Sequence, residues 1–205
     1  TLAAIIDKIN TEQKRNIITI EDPIEFIHSH KSSIIRQREI GKDTYSFDQA
    51  LRYALRHDPD IIFIGEMRDP ESISAVLTAA ETGHLVLSTL HTSTAPATIS
   101  RTIDAFHKER REQIRSQLAN TIRAVISQRL IPNIKRESRV VAVELMLSTP
   151  SIKNIIREGR EHQLYSTIQT HTQMGMQTMD QALADLYLQG KILKEDAFAN
   201  CVDSK

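Results

Sequence analysis

Asp60-Ile61-Ile62-Phe63-Ile64-Gly65-Glu66-Met67-Arg68-Asp69-Pro70 is the stretch on which the reading of this chain turns. Its four apolar residues run without period-2 alternation, the pattern of a strand buried on both faces of a parallel sheet. Gly65 ends the run, and three charged side chains follow within four positions. Ligands of open α/β sheets bind beyond the carboxyl ends of the strands, which puts Glu66 on the rim where chemistry is done. The same residues also suit an ordinary buried strand running into a helix cap, so the other strand ends decide.

Upstream, Leu2, Ile5, Ile6 and Ile9 recur at helical spacing. Asn16 to Ile20 reads as a strand that runs into Glu21-Asp22-Pro23-Ile24-Glu25-Phe26, with Pro23 stopping the ladder. Ser32 to Arg38 is a second strand. Ser46 with Gln49 forms a capping box before the stripe Phe47, Ala50, Leu51, Ala54, Leu55. Downstream, Asp69-Pro70 is an N-cap with proline at the first helical position, and Gly83 is placed to end that helix. Leu85-Val86-Leu87 is a further strand, ending in Ser88-Thr89-Leu90-His91-Thr92. Strands alternating with helices predict an α/β fold with a mostly parallel sheet. Ile114, Leu118, Ile122 and Ile126 predict one long amphipathic helix, and Leu130-Ile131 with Arg139 to Leu147 a hairpin. From Pro150 the pattern is helical throughout. The expected division is therefore an α/β core over residues 1–149 and a small all-helical region over 150–205.

With 205 residues and 40% apolar content, the chain can bury a proper core. Its 26 basic and 26 acidic side chains cancel, which argues against a surface built for polyanions such as nucleic acid. The single cysteine, Cys201, excludes an intramolecular disulfide and any zinc site of paired cysteines. No apolar run approaches membrane-spanning length and no signal peptide is present, so the expected compartment is the cytoplasm. The chain starts at Thr1, directly in helical pattern, and the expectation is that it begins partway into a larger protein.

The polar residues that follow apolar strands are Glu21, Asp22 and Glu25, then Glu66, then Thr89 and His91. In a parallel sheet they meet along one rim. Clustered carboxylates cost energy unless a cation lies between them, and magnesium on a nucleotide's phosphates is such a cation. A strand ending in an acid, as Ile61 to Ile64 does, is similar to the Walker-B element of P-loop nucleotidases. The phosphate-cradling loop G-x-x-x-x-G-K-[ST] occurs nowhere; Gly41-Lys42 comes nearest, but Asp43 follows. The expectation is that this loop lies immediately upstream of Thr1, so that the first strand-helix unit of the core is cut away.

Here the resemblance becomes specific. Thr1-Leu2-Ala3-Ala4 resembles the residues after the P-loop in secretion ATPases of the type II and type IV pilus family. Ile18-Thr19-Ile20-Glu21-Asp22-Pro23-Ile24-Glu25-Phe26 is similar to that family's aspartate box. Asp58-Pro59-Asp60 through Gly65-Glu66-Met67-Arg68-Asp69 resembles its Walker-B element, and Thr82-Gly83-His84 through Leu90-His91-Thr92 its histidine box. The order is the family's, and from Thr1 to Thr92 the matched stretches span about half the chain. Extension-type members usually carry a four-cysteine zinc insertion, which one cysteine cannot supply. Ser151-Ile152-Lys153-Asn154-Ile155-Ile156-Arg157-Glu158 is similar to the helical motif of retraction-type members, with Ser151 and Lys153 as mild departures. Gly175-Met176-Gln177-Thr178-Met179-Asp180 also resembles the stretch found downstream in that group.

The resemblance implies a RecA-like ATPase core that uses ATP and magnesium. Glu66 would hold the magnesium shell or its water, and Glu25 would orient or deprotonate the attacking water. Glu21 and Asp22 would either bind the metal shell or order the loop. His91 would contact the γ-phosphate region; His84 is either a second such contact or a cap residue. Arg38, Arg56 and Arg68 would reach phosphate across a subunit boundary or make structural ion pairs, Arg68 with Asp69 or Glu66. The assembly implied is a homo-hexameric ring on the cytoplasmic face of the inner membrane, against the platform protein of a pilus base. Ile152, Asn154, Ile155, Ile156, Arg157 and Glu158 would carry the coupling motif, although its apolar members also need a core. A DNA-uptake, type II secretion or pilus-extension ATPase on the same scaffold is the alternative within the class. A ring subunit that does not hydrolyse ATP is the alternative outside it.

Overall fold

The computed structural model describes residues 1–203. The chain divides into two compact units, residues 1–90 and 91–205. The first unit comprises α1 (Leu2–Glu12), β1 (Asn16–Glu21), β2 (Ile34–Glu39), α2 (Phe47–Ala54), β3 (Ile61–Ile64), α3 (Pro70–Glu81) and β4 (Leu85–Ser88). Its four strands are all parallel, in the order β2-β1-β3-β4. The unbroken isoleucine runs follow from cover on both faces. Ile18, Ile20, Ile62 and Ile64 pack with Leu51 of α2 and Val76 of α3, while Ile17, Ile35 and Ile61 pack with Ile6 of α1. Alternate residues of a strand point to opposite faces, so a strand that is apolar at every position needs helices on both.

The predicted start and stop signals act as read. The Ser46 hydroxyl accepts the Gln49 N–H at the start of α2. At α3, Asp69 and Ser72 cap each other reciprocally with Pro70 at the helix start, and Gly83 follows the last turn at φ +100°. A positive φ of that size is cheap for glycine alone.

The second unit comprises α4 (Ala95–Asp104), α5 (Lys108–Thr121), β5 (Ala124–Pro132), β6 (Arg139–Leu147), α6 (Pro150–Arg157), α7 (Leu164–Thr170), α8 (Met179–Leu188) and α9 (Lys194–Asn200). The predicted hairpin is present, with β5 and β6 antiparallel and paired from Ala124↔Leu147 to Pro132↔Arg139. Its inner face packs Ile131 and Ala142 against Met179 and Leu183 of α8. The single helix expected through Ile126 is not formed: α5 stops at Thr121, and Ile126 lies in β5. Ile114 and Leu118 are the members of that stripe buried within α5, whereas Ala124 to Pro132 alternates inward and outward as a strand does. Sequence periodicity also missed α4, which Thr94 caps through the Ala97 N–H.

The line expected near Ser148–Pro150 falls inside the second unit. There α6 packs on α5, and Leu145 of β6 exchanges backbone hydrogen bonds with Gln177. Among the described residues no helix is long and apolar enough to cross a membrane.

Candidate functional site

Parallel pairing aligns the carboxyl ends of the strands. Ile20, Ile64 and Ser88 are in register across β1, β3 and β4, so Glu21, Gly65 and Thr89 stand next in line. The Gly65 N–H continues the ladder by donating to Ile20 O at 2.8 Å. Thr89 Oγ1 donates to Gly65 O at 2.5 Å, and the Met67 N–H donates to Thr89 O at 3.1 Å. The turn that carries Glu66 is thereby clamped to the end of β4. Thr89 is thus a scaffold residue of this edge.

Glu66 and Asp22 are brought together through Arg68, which donates from Nε to Glu66 Oε2 at 2.6 Å and lies 3.7 Å from Asp22 Oδ2. The Glu66 carboxylate, and more weakly Asp22, hold the guanidinium's pKa above its usual value. Arg68 therefore pairs with two of the three candidate metal-shell acids, Glu66 and Asp22. Asp69, the other partner considered for it, is occupied as the N-cap of α3.

Glu21 faces a different way. It is 8% exposed, and its Oε1 accepts from Thr19 Oγ1 at 2.6 Å and from Gln37 Nε2 at 3.1 Å. Of the two roles left open for Glu21, this geometry serves the ordering of the loop. The agent is Gln37 of β2, a residue the sequence did not single out. Its Nε2 also donates to Phe26 O at 2.8 Å, and its Oε1 accepts the His28 N–H at 2.8 Å. One amide thus ties the loop holding Glu25 to both neighbouring strands. The signal in the sequence was a neutral polar residue between two arginines, within a strand whose other polar positions are charged. The Ile24 N–H is held by Glu39 Oε2 at 3.3 Å on the other side of Glu25, which is itself exposed.

Each such hydrogen bond contributes about 0.5–1.5 kcal/mol. Gln37→Ala is accordingly expected to speed hydrogen exchange at the His28 amide by at least about tenfold. Exchange at Ile62 and Ile64 should stay as in the parent. Unchanged exchange at His28 would show that the loop is ordered by other contacts.

Arg38 is half-buried on β2, in register with Ile20 at this same edge. Arg56 and His84 lie at the other one. Arg56 precedes His57, whose carbonyl accepts from Asn16 Nδ2 at the amino end of β1. His84 immediately precedes β4, with Nδ1 3.0 Å from both Thr82 Oγ1 and Ala79 O at the end of α3. These contacts place His84 as a cap on the end of α3, at the edge where β4 begins. Asp60, in the Walker-B-like run, also belongs to the amino edge. It accepts the Asn16 N–H at 2.8 Å and Arg15 Nη1 at 3.2 Å, and the backbone bond foremost keeps its carboxyl below the usual range. His91 is exposed and opens the second unit.

The helical motif splits by burial. Ile152, Ile155 and Ile156 are 0%, 5% and 0% exposed, so they are core residues and cannot meet a partner directly. Apolar residues at i, i+3 and i+4 form the one stripe that α6 presses inward. Asn154, Arg157 and Glu158 are exposed. Arg157 donates to Asn154 Oδ1 at 3.0 Å and to Asn120 Oδ1 of α5 at 3.2 Å, while Glu158 pairs with Arg160.

Residues 1–170 match the family model described as Type II/IV secretion system protein. The type IV pilus retractation ATPase PilT of Pseudomonas aeruginosa is 51% identical over 96% of this chain and 57% of its own length. A twitching motility protein of Neisseria gonorrhoeae is 50% identical over 96% of the chain and 53% of its length. The crystal structure of the pilus retraction motor PilT with bound ADP superposes with a TM-score of 0.92 at 51% identity, covering 99% of this chain and 57% of that one. The chain thus spans little more than half the length of the relatives it matches. With an all-parallel sheet, acids gathered at one carboxyl edge, and a family match over most of its residues, the chain belongs to the type II/IV secretion system protein family.

Proposed function

We propose that this chain is part of a motor subunit that hydrolyses ATP to drive type IV pilus retraction. The observation that carries the reading is the single carboxyl edge where Asp22 and Glu66 are joined through Arg68, with Glu25 on the adjoining loop. Support for ATP comes from the relative solved with bound ADP, and support for retraction from the name of the Pseudomonas aeruginosa relative.

Magnesium fits this donor set. Asp22 and Glu66 offer the hard oxygen ligands that the ion takes one or two at a time, together with water. These two residues would hold its shell, and when bound it would neutralise charge on the transferred phosphoryl group. Glu25 positions the attacking water, and His91 and Arg38 are assigned to the phosphates. Six copies form a ring on the cytoplasmic face of the inner membrane. The exposed side of α6, Asn154, Arg157 and Glu158, faces the platform protein of the pilus base.

The test joins this chain to the part of the Pseudomonas aeruginosa relative that it does not cover, giving a family-length protein. That protein is expected to hydrolyse ATP and to restore twitching to a retraction-deficient strain, while the 205 residues alone turn over no ATP. ATP hydrolysis without restored twitching would leave a secretion or extension motor. A folded family-length protein without turnover would overturn the enzymatic reading.

A further inference from the structure

Glu144 lies in the middle of β6 with no solvent exposure, on an inward stripe whose neighbours Ala142 and Met146 are apolar. A carboxylate there is costly unless its oxygens are satisfied. Oε1 accepts the Ala95 N–H at 2.5 Å, and Oε2 accepts the Met179 N–H at 3.2 Å. These are the first residues of α4 and of α8.

Each helix leaves its leading N–H groups without intrahelical partners. Thr94 takes the Ala97 N–H and Thr178 takes the Gln181 N–H, and those caps leave the first amide of each helix to be satisfied elsewhere. Ala95 and Met179 are fully buried, so water is a poor substitute. One carboxylate serves both, where two helix dipoles also favour negative charge. Burial pushes the Glu144 carboxyl above its usual range; the two N–H bonds pull against that, Asp180 adds to it, and Arg129 opposes it.

The two helices begin in different parts of the chain. α4 follows His91 by four residues, and α8 lies in the helical region beyond the coupling motif. We infer that Glu144 is a positioning residue that locks the start of α4, and with it the His91 segment, to the start of α8. The nucleotide-sensing segment and the C-terminal helices then shift as one piece. This role in turnover rests on the ATPase reading above; the lock itself does not.

Glu144→Gln keeps size and one acceptor but turns an N–H₂ group towards one of the two amides. In the 205-residue chain, hydrogen exchange at Ala95 or Met179 should rise at least tenfold while the parallel sheet of the first unit keeps its protection. Glu144→Asp, one methylene shorter, should hold one helix start and release the other, and it serves should the glutamine variant fail to fold. In the family-length protein, kcat for ATP should fall about tenfold with KM unchanged. Parent-like exchange at both amides would overturn the lock, and so would a uniform loss of protection throughout the second unit, which marks a merely structural residue. Changed exchange with kcat and KM both as in the parent would overturn the coupling. A parent without ATP turnover would sink the functional reading and leave the exchange result to judge the lock alone.

Discussion

Glu66→Gln in the family-length protein is expected to lower kcat for ATP by roughly 10²–10⁴-fold, the range a positioned acid or base commonly supplies. ADP affinity should change by no more than a few-fold. The side chain leaves a turn fixed by Gly65 and Thr89, so glutamine will occupy the same place. It can still accept from Arg68, which removes collapse of the turn as an explanation. The Arg68 pair is itself more than half exposed on the arginine side, and such pairs contribute about 0–1 kcal/mol. The substitution removes one negative charge from the edge where the metal shell and the attacking water are assigned. Because only interactions stronger in the transition state raise the rate, the loss should fall on kcat and not on binding. Undiminished turnover would remove Glu66 from the mechanism and leave Glu25 and Asp22 to account for it.

The parts of the fold that were legible in the sequence are those where one local signal decides. Ile61 to Ile64 announced a two-faced strand because nothing in it alternates, and Asp69-Pro70 announced a helix start because both residues act within one turn. Glu66 and Asp22 were legible because each follows a strand directly. What the sequence hid depends on pairing between distant segments. Gln37 matters through Glu21, Phe26 and His28, and nothing in the order Arg36-Gln37-Arg38 reports those partners. Glu144 reads as one polar residue in a hairpin strand; its role appears once α4 and α8 arrive from 49 and 35 positions away. The end of α5 was missed for a related reason. Ile122 and Ile126 continue the helical spacing of Ile114 and Leu118, yet Ile126 is taken by pairing with Leu145, and tertiary pairing outweighs a weak local preference. His84 and His91 lie within one histidine-box-like run, yet the first caps α3 before β4 begins and the second follows the strand's end, a difference that the motif alone does not report.

Ile156→Ala should destabilise the second unit by about 2–5 kcal/mol in chemical denaturation, the usual cost of truncating a fully buried isoleucine. Arg157→Ala, one residue on, should cost no more than about 1 kcal/mol, because its bonds to Asn154 and Asn120 are exposed. The contrast bears on how the coupling motif is tested. Loss of twitching in an Ile156 variant would report a damaged α6, since that side chain is fully buried and has no surface to offer. Arg157→Ala combined with Glu158→Ala leaves Ile152, Ile155 and Ile156 in place and alters the exposed side alone. If that side meets the platform protein, the double variant should keep its stability and its ATP turnover and lose retraction. Retraction at the parent's rate would move the contact to another surface. A denaturation midpoint for Ile156→Ala equal to the parent's would contradict the burial of α6, and with it the division of the motif into a core stripe and an exposed stripe.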